Sequence, residues 1–161
     1  MQGRIMLGKK KDSAWFTEQV QSMKSTMFYV ALSILHNEWD AEDATANAIL
    51  KAYENLERLR DPRKFRVWML KILQNECFDY AKQGSRQIPQ EDWEVSEDFK
   101  PPDVDLWNAL KGLGEKDRLA LLLFHLEGYK LREIAELLEE PVGTVKSRLS
   151  RTRKALRQIL E

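Results

Sequence analysis

The sequence has 161 residues, 43% of them hydrophobic and 32% charged, with 26 basic residues balancing 26 acidic ones, which is room for one or two small domains with ordinary helical cores. One cysteine, Cys77, excludes an intramolecular disulfide and makes a reducing cytoplasm the default setting. The amino end, MQGRIMLGKKKDS, is broken up by Arg4 and three lysines, so neither a signal peptide nor a membrane span is expected.

The neutral total conceals an uneven distribution. From Met1 to Lys82 there are 13 basic and 11 acidic residues, from Gln83 to Asp103 there are 2 and 6, and from Val104 to Glu161 there are 11 and 9. Local fields govern encounter with a charged partner, so this acidic middle and the basic patches outside it matter more than the sum.

A first helix is expected from about Ser13 to His36, with Phe16, Val20, Met23, Met27, Ala31, Ile34 and Leu35 as its apolar stripe. Asn37, Glu38 and Trp39 read as a turn, with Asp40 capping a second helix and Glu42 and Asp43 in its first turn, where the helix dipole favours acid. That capping also accounts for the clustered carboxylates. No His, Cys or Gly-rich phosphate loop joins them, so the chain is read as a non-enzyme without catalytic residues or cofactor.

Asp61-Pro62 reads as a cap and first-turn proline for a third helix, from about Arg63 to Lys82. It carries Phe65, Trp68, Ile72, Phe78 and Tyr80 beside Arg63, Lys64, Arg66, Lys71 and Lys82. Aromatics interleaved with bases make a platform for unstacked DNA, but by composition alone Trp68 and its neighbours fit a three-helix core better.

Periodicity stops from Gln83 to Asp103, where prolines, a Gly-Ser pair and an acidic majority read as an extended linker, with Trp93 and Phe99 as possible anchors. Beyond it Leu106, Trp107, Leu110 and Leu113 suggest a short helix, and EKDRLALLLFHLEG another ending at Gly128. The apolar block Leu119 to Leu126 is the expected core of this second domain. His36, Cys77 and His125 have no metal-ligand spacing and are read as structural; no metal site is expected.

The last stretch, Leu131 to Leu160, is the most informative. Leu131, Ile134, Ala135 and Leu138 share one helical face, and Val145, Leu149, Thr152 and Leu156 share another, with a turn holding Pro141 and Gly143 between them. This is the pattern of a helix-turn-helix. From Pro141 to Gln158 every charged residue is basic: Lys146, Arg148, Arg151, Arg153, Lys154 and Arg157. A solvated helix usually mixes signs, so a one-signed face points to phosphates and base edges. The start of the second helix enters the major groove, which brings Thr144, Lys146, Ser147 and Arg151 nearest the bases, with the later cations toward phosphates.

These residues carry a family resemblance. IAELLEEPVGTVKSRLSRTRKAL resembles the carboxy-terminal DNA-binding region of the extracytoplasmic-function (ECF) sigma factors of bacterial RNA polymerase, commonly IAEIL-x-x-PxGTVKSRLxRARxxL. DAEDATANAILKAYENLERLRDPRKFRVWMLKILQNECFDY resembles the amino-terminal region of the same family. The resemblance implies an all-α chain: residues 1–82 form a domain for polymerase docking and the minus-10 promoter element (sigma region 2), 83–103 a linker, and 104–161 a helix-turn-helix domain for the minus-35 element (sigma region 4). It implies core RNA polymerase and promoter DNA as partners, an anti-sigma factor as regulator, and a cytoplasmic setting. The implied minus-35 contacts are Thr144, Lys146, Ser147, Arg148, Ser150, Arg151, Arg153 and Lys154. For the minus-10 element they are Arg63, Lys64, Phe65, Arg66, Trp68, Lys71 and Asn75, and for polymerase docking Asp40, Glu42, Asp43, Asn47, Leu50 and Lys51. Two positions depart from the family pattern. Ala46-Asn47 stands where Gln followed by an acid is usual on the docking surface, and Gly114 stands where proline is common. The competing reading is a conventional dimeric helix-turn-helix regulator whose amino-terminal domain senses a ligand or dimerises.

Overall fold

The computed structural model describes residues 9–83 and 104–160. The expected linker, Trp93 and Phe99 included, lies outside these residues apart from Gln83, as do the side chains of Leu106 and Leu126.

Two four-helix halves follow one another. The first holds α1 (Lys9–Ser22), α2 (Lys24–Leu35), α3 (Glu38–Glu54) and α4 (Phe65–Gln83), the last two joined by short 3-10 turns at Leu56–Arg58 and Pro62–Lys64. The second holds α5 (Val104–Leu110), α6 (Glu115–Leu121), α7 (Leu131–Leu138) and α8 (Val142–Leu160). A single π turn, Leu122–Leu126, prolongs α6. Gly128 follows at φ +69, a left-handed conformation that glycine takes without steric cost, and it ends this segment where the sequence placed the stop.

The first helix of the sequence reading is two. The chain breaks at Met23, whose N–H bonds back three residues to the Val20 carbonyl before α2 begins. The break separates two environments. On α1 the aromatic Phe16 turns inward while Thr17 and Glu18 face solvent, whereas in α2 every residue from Met27 to Leu35 except partly covered Phe28 is buried. A helix enclosed on all sides loses the polar face that marks an amphipathic one.

The start of α3 also differs from expectation. Its cap is Asn37, in extended conformation, whose side chain accepts the Asp40 N–H at 2.8 Å; Asp40 lies inside the first turn with Glu38. The inner face of α3 is Ala41, Ala44, Ala48 and Ala52, all fully buried. Side chains of one methyl let α3 approach α2 and α4 closely, and Met69, Leu70 and Leu73 of α4 fill the space behind. At the start of α4 the arrangement is as read: the Asp61 carboxylate accepts the Arg63 N–H at 3.0 Å, with Pro62 in the first turn.

In the second half Leu119 to Leu123 are wholly buried and carry α7 and α8. The faces assigned to the helix-turn-helix hold: Ile134, Ala135 and Leu138 on α7, with half-buried Leu131, meet Val145, Leu149, Thr152 and Leu156 on α8. Gly114 precedes α6 in extended conformation with open space around it, so the absence of proline there leaves the helix start intact.

The halves pack on one another. Tyr29 lies against Trp107 with ring centres 5.5 Å apart, and the Thr26 hydroxyl donates to the Glu127 carboxylate. The buried Arg118 guanidinium donates to the Ser33 carbonyl at 2.6 Å and to the Leu113 carbonyl at 2.7 Å. Among the described residues no helix is long and apolar enough to cross a membrane.

The alanine face of α3 tolerates little added volume. Ala48→Leu should cost about 1–3 kcal/mol of unfolding free energy through overpacking against α2 and α4, read from urea unfolding of the purified chain.

Candidate nucleic-acid interface

The turn before α8 sets how that helix is presented. α7 ends on Glu139 at φ 56 and ψ 46, a left-handed conformation that costs a residue with Cβ on the order of 1 kcal/mol. The Glu140 N–H bonds back to the Ala135 carbonyl at 3.0 Å, and the Pro141 carbonyl accepts from Thr144 and Val145 to start α8. With Val145, Leu149, Thr152 and Leu156 turned inward, the opposite face is left to solvent. Thr144, Lys146, Ser147, Ser150, Arg151, Arg153 and Lys154 are all exposed there. Arg153 also leans over the Phe124 ring at 5.7 Å, toward the π turn.

Arg148 stands apart from this group. Its side chain is 17% exposed, donates to both carboxylate oxygens of Glu140 at 3.2 and 2.6 Å, and donates to Asp117 at 2.6 Å. Hydrogen bonding to Arg148 holds the Glu140 carboxyl below the usual carboxylate range.

The second surface lies on α4 and the loop before it. Arg63, Lys64, Arg66 and Asn75 are exposed, and Trp68 and Lys71 are half-buried. Arg63 is gripped by the Asp61 carboxylate through Nε and Nη2, both at 3.1 Å, and this pairing holds the Asp61 carboxyl low. Trp68 and Asn75 line a cavity of about 280 Å³ between α3 and α4, with Asn55, Arg58, Ile72, Asp79 and the Lys51–Glu76 pair around them. Such a space, with an aromatic wall and an amide, suits a single unstacked base.

Phe65 does not belong to this surface. It is 1% exposed and packs edge-on against Trp15 and Phe16, with ring centres at 5.3 and 5.8 Å. Being the first residue of α4, its side chain points back into the α1 contact, which makes it a core residue and corrects the expectation of a strand contact. Arg66 is exposed yet engaged: it pairs with Glu133 of α7 at 3.1 Å and lies 3.8 Å over the Tyr129 ring. Glu136 of α7 faces Arg58, Lys64, Trp68 and Lys71 across a cleft of about 380 Å³. The first helix of the helix-turn-helix thus sets its acids against the cations of α4.

On α3 the exposed face runs through Trp39, Glu42, Asp43, Ala46, Leu50 and Tyr53, spaced to fall on one side of a helix. Trp39 is 59% and Leu50 62% exposed, unusual for such large apolar groups. Trp39 and Tyr53 were not singled out from sequence; Trp39 read as part of a turn, and its place on a helix became visible with Asn37 as the cap. Asn47 is exposed at the edge of this face, Asp40 is half-buried, and Asp43 accepts the Tyr80 hydroxyl at 3.1 Å. Lys51 turns away from the face and pairs with buried Glu76 of α4 at 2.5 Å. Beside the face an apolar groove of about 750 Å³ runs between α1, α2 and α3, lined by Phe16, Val20, Phe28 and Ile49.

Comparison with known proteins places the chain in a family. A family model of sigma-70 region 2 matches residues 20–87 and one of sigma-70 region 4 matches residues 103–156. The chain is 29% identical to the ECF RNA polymerase sigma factor SigW of Bacillus subtilis (strain 168), an alignment covering 98% of this chain and 95% of that protein. The chain belongs to the ECF sigma factors. Another relative in the family is RNA polymerase sigma factor SigV of the same strain, also 29% identical, over 94% of this chain and 95% of SigV. The ECF fold is shared with two solved structures. One is the sigma factor RpoE in complex with the anti-sigma factor NepR from Bartonella quintana, with a TM-score of 0.71 and 22% identity over 90% of this chain and 96% of RpoE. The other is CnrH in complex with the cytosolic domain of CnrY, again 0.71 and 22%, over 94% of this chain and 91% of CnrH. As an ECF sigma factor the chain directs promoter-specific transcription initiation. The dimeric-regulator reading gives way here, because the region 2 match covers the part it reserved for sensing or dimerisation.

The core role of Phe65 is measurable. Phe65→Ala should cost about 3–5 kcal/mol in urea unfolding, far more than removal of an exposed strand contact would.

Proposed function

We propose that the ECF chain divides its work among three surfaces: the α3 face docks core RNA polymerase, the α4 surface opens the minus-10 element, and α8 reads the minus-35 element as duplex. Residues 1–82, 83–103 and 104–161 are the corresponding amino-terminal domain, linker and carboxy-terminal domain. The observation that carries the reading is the partition of α8. Its inner face is sealed by Val145, Leu149 and Leu156, and the exposed remainder presents Lys146, Arg151, Arg153, Lys154 and Arg157 to solvent with no acid among them. Thr144, Lys146, Ser147 and Arg151 are assigned to base edges, and Arg153 and Lys154 to phosphates.

On α4 the base pocket beside Trp68 and Asn75 receives an extruded base of the non-template strand, and Arg63, Lys64 and Lys71 hold the flanking phosphates. Arg66 joins them once Glu133 releases it. On α3 the apolar centre of Trp39, Leu50 and Tyr53, rimmed by Glu42 and Asp43, is the docking surface, and it supplies binding area at the position where Ala46-Asn47 lacks the family's usual polar pair. An anti-sigma factor is proposed as the regulator, because the RpoE and CnrH structures hold such partners and because this chain exposes apolar surface in its unbound form. We place the protein in the cytoplasm with its polymerase and assign it no catalytic step.

Leu50→Asp should abolish co-elution of the full chain with bacterial core RNA polymerase on gel filtration while leaving the folded circular-dichroism spectrum unchanged; co-elution at the wild-type level would remove α3 from the docking surface. In the assembled holoenzyme, Arg151→Ala should weaken promoter binding by about 1–3 kcal/mol and relax preference at one base pair of the minus-35 element. A uniform loss across sequences would instead make Arg151 a phosphate contact.

A further inference from the structure

Arg148 lies within the recognition helix at the border of its buried face, beside Val145, Leu149 and Thr152. Ser147, Ser150 and Arg151 are exposed, whereas the Arg148 guanidinium is enclosed by two carboxylates from two other elements: Glu140 in the turn between α7 and α8, and Asp117 in the first turn of α6. Three of its donors are committed. Nε and Nη2 grip Glu140 as a fork, and Nη1 reaches Asp117. Glu140 is itself only 12% exposed and receives Lys116 Nζ at 3.4 Å. Two carboxylates, one guanidinium and one ammonium leave little net charge, so the cluster offers a DNA phosphate nothing.

We propose that Arg148 is a positioning residue, which fixes the rotation of α8 against α6 and the turn and thereby sets which base edges Ser147 and Arg151 meet. This rests on the reading of α8 as the recognition helix. Burial of Val145, Leu149 and Leu156 decides which face of α8 turns inward, but these side chains make no directional bonds. The guanidinium is planar and its bonds to Glu140 are directional, so they specify one setting of the helix. Groove hydrogen bonds weaken steeply with misalignment, so a small rotation of α8 reaches the bases as lost discrimination before it appears as lost affinity. A lysine would preserve charge but meet one carboxylate at a time. The left-handed Glu139 ends α7 immediately before Glu140, in the turn that carries this carboxylate.

The test uses holoenzyme assembled from core polymerase and the full chain, with promoter fragments carrying a bound minus-35 sequence or single base-pair changes in it, at a series of salt concentrations. Arg148→Lys and the near-isosteric Glu140→Gln should each lower discrimination between cognate and altered fragments about tenfold. Both should leave the salt dependence of binding at the wild-type slope. Two results overturn the proposal. A slope shallower by about 0.9 in the neutral variant Arg148→Gln, the signature of one lost phosphate contact, makes Arg148 a DNA ligand. Tighter, more salt-sensitive binding by Glu140→Gln does the same, since it means that releasing Arg148 supplies a cation to the backbone. Unchanged discrimination in both variants also refutes it. Arg151→Ala, measured in the same series, separates the two layers: if it too is silent, the recognition-helix reading fails, whereas an effect there with silent Arg148 and Glu140 variants removes the positioning role alone.

Discussion

The burial of α2 on every side is the constraint from which the rest of the structure follows. From Met27 to Leu35 this helix offers almost no surface to water, being covered by α3 and α4 on one flank and by α6 on another. Fully burying each of its large apolar side chains contributes roughly 1.5–3 kcal/mol, so covering α2 is the main energetic reason for the first half to close around it and for the second half to pack against it. The same burial makes Arg118 expensive. Its guanidinium is desolvated, which pulls its pKa below the ordinary arginine value, and it is retained where the Ser33 and Leu113 carbonyls supply bonds at short distance. The seam between the halves is therefore polar at Arg118 and at the Thr26–Glu127 bond and apolar where Tyr29 meets Trp107.

Around that core the arginines divide by environment. Arg118 is architecture inside the seam and Arg148 is architecture inside the second half, each bonded to carbonyls or carboxylates within the chain. Arg151, Lys146 and Lys154 have their charge outward, in a row that no acid of α8 interrupts. Arg66 lies between these cases, exposed at its rim yet paired with Glu133 and stacked on Tyr129. In this closed packing α7 meets the cationic flank of α4 with its own acids, so part of the surface proposed for the minus-10 element is occupied by the protein itself. Neutrality over the whole chain is the sum of a basic excess of two in each of residues 1–82 and 104–161 and an acidic excess of four in the stretch between them.

Much of the fold was readable because it depends on short-range pattern. The faces of α7 and α8, the Asp61-Pro62 start of α4 and the stop at Gly128 are local signals of period, capping and backbone freedom, and each recurs in the structure at the residues that carry it. The divided first helix and the Asn37 cap escaped because neither Met23 nor Asn37 is a strong breaker, and Asp40 offered an equally good cap. The inner face of α3 escaped notice for another reason. Alanines carry little hydrophobic signal, and their value appears once a neighbouring helix lies against them.

The sequence by itself determined that this is an all-α chain with a helix-turn-helix, which residues of α8 face inward, and which family the chain resembles, since spacing and residue type are enough for all of these. Tertiary structure decided what spacing cannot express. Phe65 and Trp68 are both aromatic and three residues apart, yet Phe65 is enclosed by Trp15 and Phe16 from α1 while Trp68 borders an open pocket. Arg148 and Arg151 are likewise both arginines on one helix, separated in role by carboxylates contributed from the turn and from α6. Whether a side chain meets solvent or a partner depends on elements distant along the chain, and that information comes into being when those elements pack.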